Sequence, residues 1–328
     1  MKNKIAFKEN IDFFANKADS ASNTRQIIGS CSLIKDCMNN AVKISSSEAP
    51  VLITGSTGTG KELFADLIFK NSKRFNKPFV KINCAAIPES LIETELFGHI
   101  KGAFTDAVAD RKGKFLSADT GTLFLDEICE LPLNIQARLL RVIESSTVEM
   151  IGSDKPEKID VRIISATNRN IENEIASGNF RKDLYYRINV LSLHIPDLKD
   201  RKEDIPELVD YFMSGSEKKI KFDEAALNKL QTYSWPGNIR ELQNFTNRII
   251  VSFPGNIMKA EDIDLEITKN NSLLPLKKAI NIYKKNYIIK ALNENNWNQS
   301  KTALALDIQR TYLSRLINEL EIKEKGKE

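Results

Sequence analysis

The apolar positions of the chain follow two different spacings, which predict alternating helices and strands up to Arg201. From Ser32 onward, apolar residues return every three or four positions, as in an amphipathic helix. Short apolar runs of strand length follow at residues 51–54, 79–82, 123–125, 161–166 and 190–194. Helical spacing separates them at residues 61–69, 90–97 and 133–144. This alternation predicts an α/β fold with a mainly parallel sheet and helices on both faces.

Beyond Arg201 the spacing is helical, over residues 205–213, 223–233 and 239–252. Pro254, Gly255 and Asn256 mark the end of this helical segment, since these residue types interrupt regular structure. A polar stretch at 268–272, followed by Pro275, predicts a linker. The tail then predicts helices at 276–294, 299–306 and 309–320, with a tight turn at 306–308.

The composition is that of an ordinary globular protein, with 41% hydrophobic and 28% charged residues among 328. The length suggests about two domains. The longest apolar runs fall far short of the ~20 residues that span a bilayer, and the N-terminus lacks the apolar core of a signal peptide. We therefore expect no membrane segment and a cytoplasmic location.

The scarcity of cysteine and histidine argues against several kinds of site. Cys31, Cys37, Cys84 and Cys129 lack the CxxC spacing, so we expect small buried apolar residues rather than a metal cluster or disulfides. Two histidines leave little room for a zinc site or a Ser/His/Asp hydrolase. The net charge of +4 is concentrated after Asn271, where basic residues outnumber acids. That tail fits either a polyanionic partner or a solvated lysine-rich surface.

A glycine-rich segment follows the first strand and opens a helix. It reads Gly55-Ser56-Thr57-Gly58-Thr59-Gly60-Lys61-Glu62. Glycines let backbone N–H groups turn toward phosphates, the helix N-terminus adds positive potential, and Lys61 reaches the outer phosphates. The segment, called the phosphate loop below (residues 55–61), predicts ATP binding, although Glu62 stands where Ser or Thr commonly helps to hold Mg²⁺. The alternative is a glycine-rich turn without nucleotide.

Another apolar strand ends in two acids, Asp126 and Glu127. The carboxyl ends of parallel strands meet at one edge of a sheet, which puts both acids beside the phosphate loop. There Asp126 can hold Mg²⁺ and Glu127 can polarise a water. A strand ending in two acids is a weak signal alone, and its pairing with the phosphate loop makes it convincing.

Several motifs resemble those of the sigma-54-dependent activators, also called bacterial enhancer-binding proteins. They are Asn83 to Ala86, Glu95 to His99, Gly102 to Thr105, Gly121 to Glu127 and Trp235 to Leu242. The resemblance covers roughly residues 26 to 262 and the tail, and the Gly-Ala-Phe-Thr element is nearly private to that family. In the family the phosphate loop also ends in Glu, as it does here at Glu62.

The resemblance implies an AAA+ ATPase with a P-loop sheet, a helical lid and a small all-α DNA-binding domain. We expect a short tail at 1–25, the α/β part at 26–200, the lid at 201–267, the linker at 268–275 and the last domain at 276–328. A regulatory domain before residue 26 is not expected.

The resemblance also implies roles for individual residues. Asn168 matches the first sensor of the terminal phosphate, Asn83 the residue that couples the catalytic glutamate to the nucleotide state, and Arg240 the second sensor. Arg181 and Arg187 match arginine fingers, which stabilise charge on a phosphoryl group bound by a neighbouring subunit. ATP would then lie at the interfaces of a homo-oligomer, from dimer to hexameric ring. Without the resemblance, each arginine would be interpreted as a surface salt bridge worth about 0–1 kcal/mol.

The loop Gly102-Ala103-Phe104-Thr105-Asp106-Ala107 resembles the element that touches sigma-54 in the family. Asp106 departs from it, because the family commonly has Gly there. Glycine takes positive φ freely, whereas Asp does so at some cost and adds a charge. Phe104 and Thr105 match, so we expect remodelling of sigma-54 RNA polymerase. The alternative is a DNA-binding relative that does not activate sigma-54.

The tail resembles the Fis-like helix-turn-helix that ends many of these activators. Asp307 stands where the family commonly has Gly, and Asp tolerates the left-handed geometry of that turn. The last helix would enter the major groove of double-stranded DNA. Its candidate contacts are Gln309, Arg310, Thr311, Tyr312 and Arg315. The alternatives are a helical hairpin used for dimerisation, or an AAA+ remodeller or protease partner whose tail serves only assembly.

Overall fold

The computed structural model describes residues 26–104, 107–216 and 218–265, together with 284–285, 287–289, 291–292, 295, 297–320 and 322. The chain forms two compact units, Met1–Ile263 and Asp264–Glu328. None of the helices in the described ranges has both the length and the apolar character that a bilayer crossing requires. The N-terminal tail predicted at 1–25 and the linker predicted at 268–275 lie outside the described residues.

The first unit alternates helices and strands and then becomes helical. Its α-helices are α1 (Ser32–Ser45), α2 (Lys61–Lys70), α3 (Glu89–Phe97), α4 (Lys114–Ser117), α5 (Leu133–Ser145), α6 (Ile171–Ala176), α7 (Lys182–Ile188), α8 (Ile205–Ser214), α9 (Glu224–Thr232) and α10 (Asn238–Ser252). Its strands are β1 (Val51–Thr54), β2 (Phe79–Asn83), β3 (Gly98–His99), β4 (Arg111–Lys112), β5 (Thr122–Asp126), β6 (Thr147–Glu149), β7 (Pro156–Lys158), β8 (Arg162–Thr167), β9 (Leu191–His194), β10 (Lys221–Phe222) and β11 (Ile257–Met258). Short 3-10 turns occur at Cys84–Ala86, Ile128–Glu130, Leu198–Asp200, Lys202–Asp204 and Ala260–Asp262.

Five strands form one parallel sheet in the order β2-β5-β8-β1-β9. β1 is flanked by β8 and β9, with Val51 in register with Ile164 on one side and Leu191 on the other. The predicted α/β fold with a parallel sheet is therefore confirmed. Each of the five strands predicted from apolar runs starts and ends within one residue of the observed strand.

Alternate residues of each strand point to opposite faces of the sheet, and helices cover both faces, so the sheet is buried on both sides. On one side Leu52, Leu123 and Ile163 pack in a cluster with residues of α3, α5 and α7. On the other side Ile53 and Ile164 pack in a second cluster with residues of α1 and α2. Parallel strands covered on both faces are continuous apolar runs, which is why the sequence revealed them.

Two short antiparallel pairs lie outside the main sheet and were not predicted. β3 pairs with β4, and β6 pairs with β7. Strands of two or three residues are too short to show an alternating pattern. The backbone N–H of Ile100 donates to Ile151 O at 3.1 Å, and that of Ile151 donates to Gly98 O at 2.9 Å, which joins the two pairs.

The expectation of four buried cysteines is half wrong. Cys84 and Cys129 are buried, but Cys31 and Cys37 are only partly so. Cys31 directly precedes α1, and the Cys37 thiol on that helix donates to His194 O at 3.2 Å, at the edge strand of the sheet. A helix that packs on an edge strand leaves some of its residues at the border of the core.

The second unit contains the helical pair α11 (Gln299–Ala305) and α12 (Arg310–Glu319). The side chain of Asn298 accepts from Ser300 N and Lys301 N at 3.1 Å and caps α11. Asp307 has a φ of 52°, so the left-handed turn predicted there is confirmed. The described residues at 284–285, 287–289 and 291–292 are helical, and the rest of the helix predicted at 276–294 lies outside the described residues.

Candidate functional site

The phosphate loop joins the end of β1 to the start of α2. Gly58 and Gly60 have φ values of 79° and 96°, which a residue with a Cβ adopts only under strain. Lys61 is buried, and its ammonium group donates to Gly55 O at 2.9 Å and to Ser56 O at 3.4 Å. The loop therefore curls around the charge of Lys61, where phosphate oxygens can replace the two carbonyls.

The carboxylate of Glu127 lies beside this charge. Its Oε1 is 3.6 Å from Nζ of Lys61, and its Oε2 accepts from the backbone N–H of Asn168 at 3.0 Å. β5 and β8 are neighbours, which brings the residues that follow them together. The φ of Glu127 is 52°, a left-handed conformation that is uncommon for this residue type and is often found at functional sites.

Asn168 also reaches the phosphate loop. Its side-chain amide donates to the hydroxyl of Thr57 at 2.7 Å. Asn168 thus holds the Glu127 carboxylate through its backbone and the phosphate loop through its side chain. The structure brings the predicted first sensor, the predicted catalytic glutamate and the phosphate loop into one hydrogen-bonded group.

Asp126 ends β5 and is the residue predicted to hold Mg²⁺. Its carboxylate accepts from Asn83 Nδ2 at 3.4 Å and from Glu127 N at 3.1 Å. Burial and the neighbouring charge of Glu127 raise the pKa of Asp126. A divalent cation would offset both effects, and carboxylate and amide oxygens are ligands that Mg²⁺ accepts. The chemistry of these residues therefore fits a magnesium ion.

Glu62, predicted to belong to the nucleotide site, is turned toward the edge strand β2. Its Oε1 is 3.0 Å from Nζ of Lys81, and the same ammonium group is 2.6 Å from Asp66. The side chain of Glu62 is 53% exposed. The ion pair holds this carboxylate away from the phosphate loop.

The lid (α8 to α10) contacts the phosphate loop through Asn238, which was not among the predicted site residues. Asn238 is 2% exposed and has a φ of 52°. Its Nδ2 donates to Thr57 O at 3.0 Å, and its Oδ1 accepts from Leu198 N at 2.8 Å. Arg240, the predicted second sensor, is exposed, and its backbone N–H donates to Gly58 O at 3.4 Å.

Asp197, which was also not among the predicted site residues, lies next to the phosphate loop in the connection that leads to the lid. Burial alone would raise its pKa, but hydrogen bonds from Ser56 and Lys199 outweigh burial and lower the pKa. Lys199 Nζ is 3.2 Å from Asp197 Oδ2. The carboxylate is therefore charged at neutral pH and fixes the loop by a hydrogen bond.

The two candidate arginine fingers are not part of this group. Arg181 is exposed and pairs with Asp183 at 2.6 Å. Arg187 lines a cavity of about 220 Å³ with Pro50 and Val190, which precede strands β1 and β9. The phosphate loop follows the opposite end of β1. Among the residues that the structure describes, no hydrogen bond or ion pair joins either arginine to the loop.

The loop predicted to touch sigma-54 lies between β3 and β4. Gly102 N donates to Ala107 O at 2.9 Å, and Ala107 N donates to Phe104 O at 3.0 Å, which closes a turn. Phe104 is 41% exposed, and its ring lies 4.9 Å from that of His99 in an edge-on contact. Ala103 lies within this turn, whereas Thr105 and Asp106 lie outside the described residues.

In the second unit, α12 presents the candidate DNA contacts on its surface. The guanidinium of Arg315 is 5.2 Å from the centre of the Tyr312 ring, while Leu313 and Leu316 face the core. The exposed candidates are Gln309, Arg310, Thr311, Tyr312 and Arg315. The polar face of α12 is therefore exposed and can contact another molecule.

Three consecutive segments of the chain each match a known protein family. Residues 27–194 match the family described as a sigma-54 interaction domain. Residues 199–278 match an AAA+ ATPase lid domain, and residues 285–320 match a bacterial regulatory protein of the Fis family.

Individual proteins are similar over most of the chain. The regulatory protein AtoC of Escherichia coli is 44% identical over 300 residues, which cover 87% of the chain and 65% of AtoC. The regulatory protein LuxO of Vibrio vulnificus is 46% identical over 243 residues, which cover 72% of the chain and 54% of LuxO. The crystal structure of NtrX from Brucella abortus in complex with ATP superposes with a TM-score of 0.68 at 33% identity, covering 97% of the chain and 75% of NtrX. The chain thus spans less than two thirds of the length of AtoC and LuxO.

Proposed function

The chain belongs to the family of sigma-54-dependent activators, and from that membership we propose that it is an ATP-hydrolysing transcription activator. It binds DNA upstream of a promoter and remodels sigma-54 RNA polymerase, in the cytoplasm. The observation that carries the proposal is the position of Glu127. Its carboxylate lies between the charge of Lys61 and the N–H of Asn168, at the mouth of the phosphate loop.

The chemistry follows from this arrangement. The phosphates of ATP enter the loop, and the ammonium group of Lys61 exchanges its carbonyl partners for phosphate oxygens. Glu127 accepts a proton from a water that attacks the terminal phosphorus, and Asn168 orients the carboxylate. Mg²⁺ bound with ATP would be held by Asp126 and would neutralise phosphate charge.

The proposed assembly is a ring, a hexamer when active. Arg187 lies at the opposite end of β1 from the phosphate loop, so its positive charge is available to a site on a neighbouring molecule. Arg181, six residues earlier, is also exposed and is the second candidate for such a contact. A head-to-tail interface that closes on itself gives such a ring.

Two substitutions separate ATP binding from ATP hydrolysis. Lys61→Ala should weaken binding, because the phosphates lose their cation. Glu127→Gln should keep binding but lower turnover about 100-fold or more, because only the proton acceptor is lost. Glu130→Gln is the matched control, since Glu130 pairs with Arg169 at 2.6 Å outside the phosphate loop. Binding is measured by calorimetry and turnover by phosphate release. Full turnover by Glu127→Gln would contradict the proposal.

Mixing of variants tests the shared site. Arg187→Ala chains lack the finger and Lys61→Ala chains lack the phosphate contact, so each is inactive alone. A mixed ring contains some interfaces with an intact loop and an intact finger, and should recover part of the hydrolysis. No recovery at any mixing ratio would mean that the arginines act within one chain.

A second function is favoured by Asp106, which stands where the family commonly has Gly. It would be a DNA-binding ATPase of this family that does not activate sigma-54 and works either as a repressor or on another form of the polymerase. Transcription with purified sigma-54 holoenzyme distinguishes the two functions, because this second one predicts DNA binding and ATP hydrolysis without a transcript.

A further inference from the structure

A continuous chain of hydrogen bonds leads from the catalytic carboxylate to the lid. Glu127 Oε2 accepts from Asn168 N at 3.0 Å, and Asn168 Nδ2 donates to Thr57 Oγ1 at 2.7 Å. The carbonyl of the same Thr57 accepts from Asn238 Nδ2 at 3.0 Å. Thr57 therefore contacts the predicted first sensor with its hydroxyl and the lid with its carbonyl.

Asn238 is held at both ends of its side chain. Its Oδ1 accepts from Leu198 N at 2.8 Å, while its Nδ2 bonds the phosphate loop. The residue is 2% exposed, so a lost partner would leave a polar atom buried without compensation. Its φ of 52° suits Asn, whose short side chain tolerates left-handed geometry. This asparagine connects the first residues of α10 to the segment that leads into the lid.

The backbones at this contact leave little room for sliding. A Cβ added at Gly58 would lie 2.2 Å from Gly237 O, so the phosphate loop and the turn before α10 touch directly. A shift of Thr57 when phosphates enter the loop must therefore move Asn238 or break its hydrogen bond.

We propose that Thr57 and Asn238 are positioning residues that couple the orientation of Asn168 and Glu127 to the position of the lid. This inference rests on the proposed ATPase function. When the lid moves, the hydrogen bond from Asn238 displaces the Thr57 carbonyl. The hydrogen bond between the Thr57 hydroxyl and Asn168 then displaces the Asn168 side chain. Glu127 then activates water efficiently only when the lid contacts the phosphate loop through Asn238, so the rate of ATP hydrolysis depends on the position of the lid.

The first test separates turnover from ATP affinity at Thr57. Thr57→Val removes the hydroxyl but keeps the shape of the side chain, and Thr57→Ser keeps the hydroxyl. In the full chain, Thr57→Val should lower turnover about 10- to 100-fold, because a displaced catalytic group loses its geometry, while ATP affinity changes little. Thr57→Ser should restore turnover. Equal turnover of the two variants would overturn the proposal.

The second test uses two variants of Asn238. Asn238→Gly removes the side chain without strain at positive φ, and Asn238→Asp keeps an acceptor for Leu198 N but cannot donate to Thr57. Both should lower turnover, and combining Asn238→Gly with Thr57→Val should cause little further loss, because both changes break the same chain of bonds. Ser146→Gly, an exposed residue with a φ of 53°, is the matched control. Lower stability with unchanged turnover, or strictly additive losses, would mean a purely structural role.

A third measurement does not depend on hydrolysis. The amide of Asn168 donates to Glu127 at 3.0 Å, so we expect it to be protected from hydrogen exchange in the absence of nucleotide. Asn238→Gly should accelerate hydrogen exchange at this amide, across the phosphate loop, and Ser146→Gly should not. Unchanged exchange overturns the coupling even if the native protein hydrolyses ATP. Accelerated exchange in a protein that does not hydrolyse ATP would leave the coupling standing and the proposed function refuted.

Discussion

A buried ion pair anchors the first described residues of the chain to the lid. Asp204 and Arg201 are 0% and 1% exposed, with 3.8 Å between Asp204 Oδ2 and Arg201 Nη1. The other oxygen of Asp204 accepts from the backbone N–H groups of Ser30 and Cys31, both at 2.8 Å. Burial lowers the pKa of Arg201. One oxygen of this carboxylate therefore accepts from two backbone donors, while the other faces the buried cation of Arg201.

Removal of this carboxylate should be costly. We expect Asp204→Ala to lower the free energy of unfolding by about 3–5 kcal/mol, because an uncompensated charge stays buried. Urea titration followed by the fluorescence of Trp235, in a Trp297→Phe background, reports on the first unit alone. Asp200→Ala is the control, because Asp200 is exposed in the same connection and should change stability by less than about 0.5 kcal/mol. Equal values for the two variants would contradict the prediction.

The residues of the candidate site differ in how visible they were in the sequence. Glu127 could be predicted because it follows an apolar strand, and Asp307 because Asp tolerates a left-handed turn. Asn238 follows Pro236 and Gly237, which signal a turn, but its bond to Thr57 depends on how the lid folds back. Contacts between segments so far apart in the sequence leave no local pattern.

Helices and strands also differ in how well the sequence predicts them. The five strands of the parallel sheet were predicted because burial on both faces makes them apolar throughout. β3, β4, β6 and β7 were missed, since strands of two or three residues show no period. Arg187 was predicted from family motifs, but only the sheet topology shows that it lies at the far end of β1 from the phosphate loop.

The polar face of α12 should determine DNA binding by the second unit. Arg315 is exposed beside the Tyr312 ring, so we expect a phosphate contact. Arg315→Ala should then weaken binding to all sequences alike and lower the slope of affinity against salt by about 1. Gel-shift titrations over a range of salt concentrations measure both effects.

The control lies on the same helix. Asn318→Ala alters an exposed residue near the end of α12 and should leave affinity unchanged. The preferred DNA is a palindrome whose half-sites lie about 34 Å apart, as expected for a dimer that reads two successive major grooves. If the native protein binds scrambled DNA as tightly as a selected palindrome, specific recognition by α12 is excluded.

On the scale of the whole molecule, the candidate nucleotide site and the loop predicted to touch sigma-54 both lie in the parallel-sheet unit. The phosphate loop follows β1, whereas Phe104 lies in the loop between β3 and β4 and packs edge-on against His99. α3 ends at Phe97, next to β3, and begins shortly after Asn83. Asn83 donates to Asp126 at 3.4 Å, so one hydrogen bond and the segment from Asn83 through α3 connect the proposed catalytic carboxylates to the loop that would touch the polymerase.

The loop that contains Phe104 should decide whether the protein activates sigma-54. In transcription with its own sigma-54 holoenzyme, the native protein should yield an ATP-dependent transcript, because Phe104 and Thr105 match the family element. Phe104→Ala and Thr105→Ala should abolish the transcript and leave ATP hydrolysis unchanged, since neither residue belongs to the phosphate loop. Val108→Ala, at a residue that is 81% exposed in the same loop, is the control for a general loss of apolar surface. Asp106→Gly should have little effect if Asp adopts the backbone conformation that Gly has in the family. A transcript from Asp106→Gly and none from the native protein would identify the chain as the relative that binds DNA without activating sigma-54.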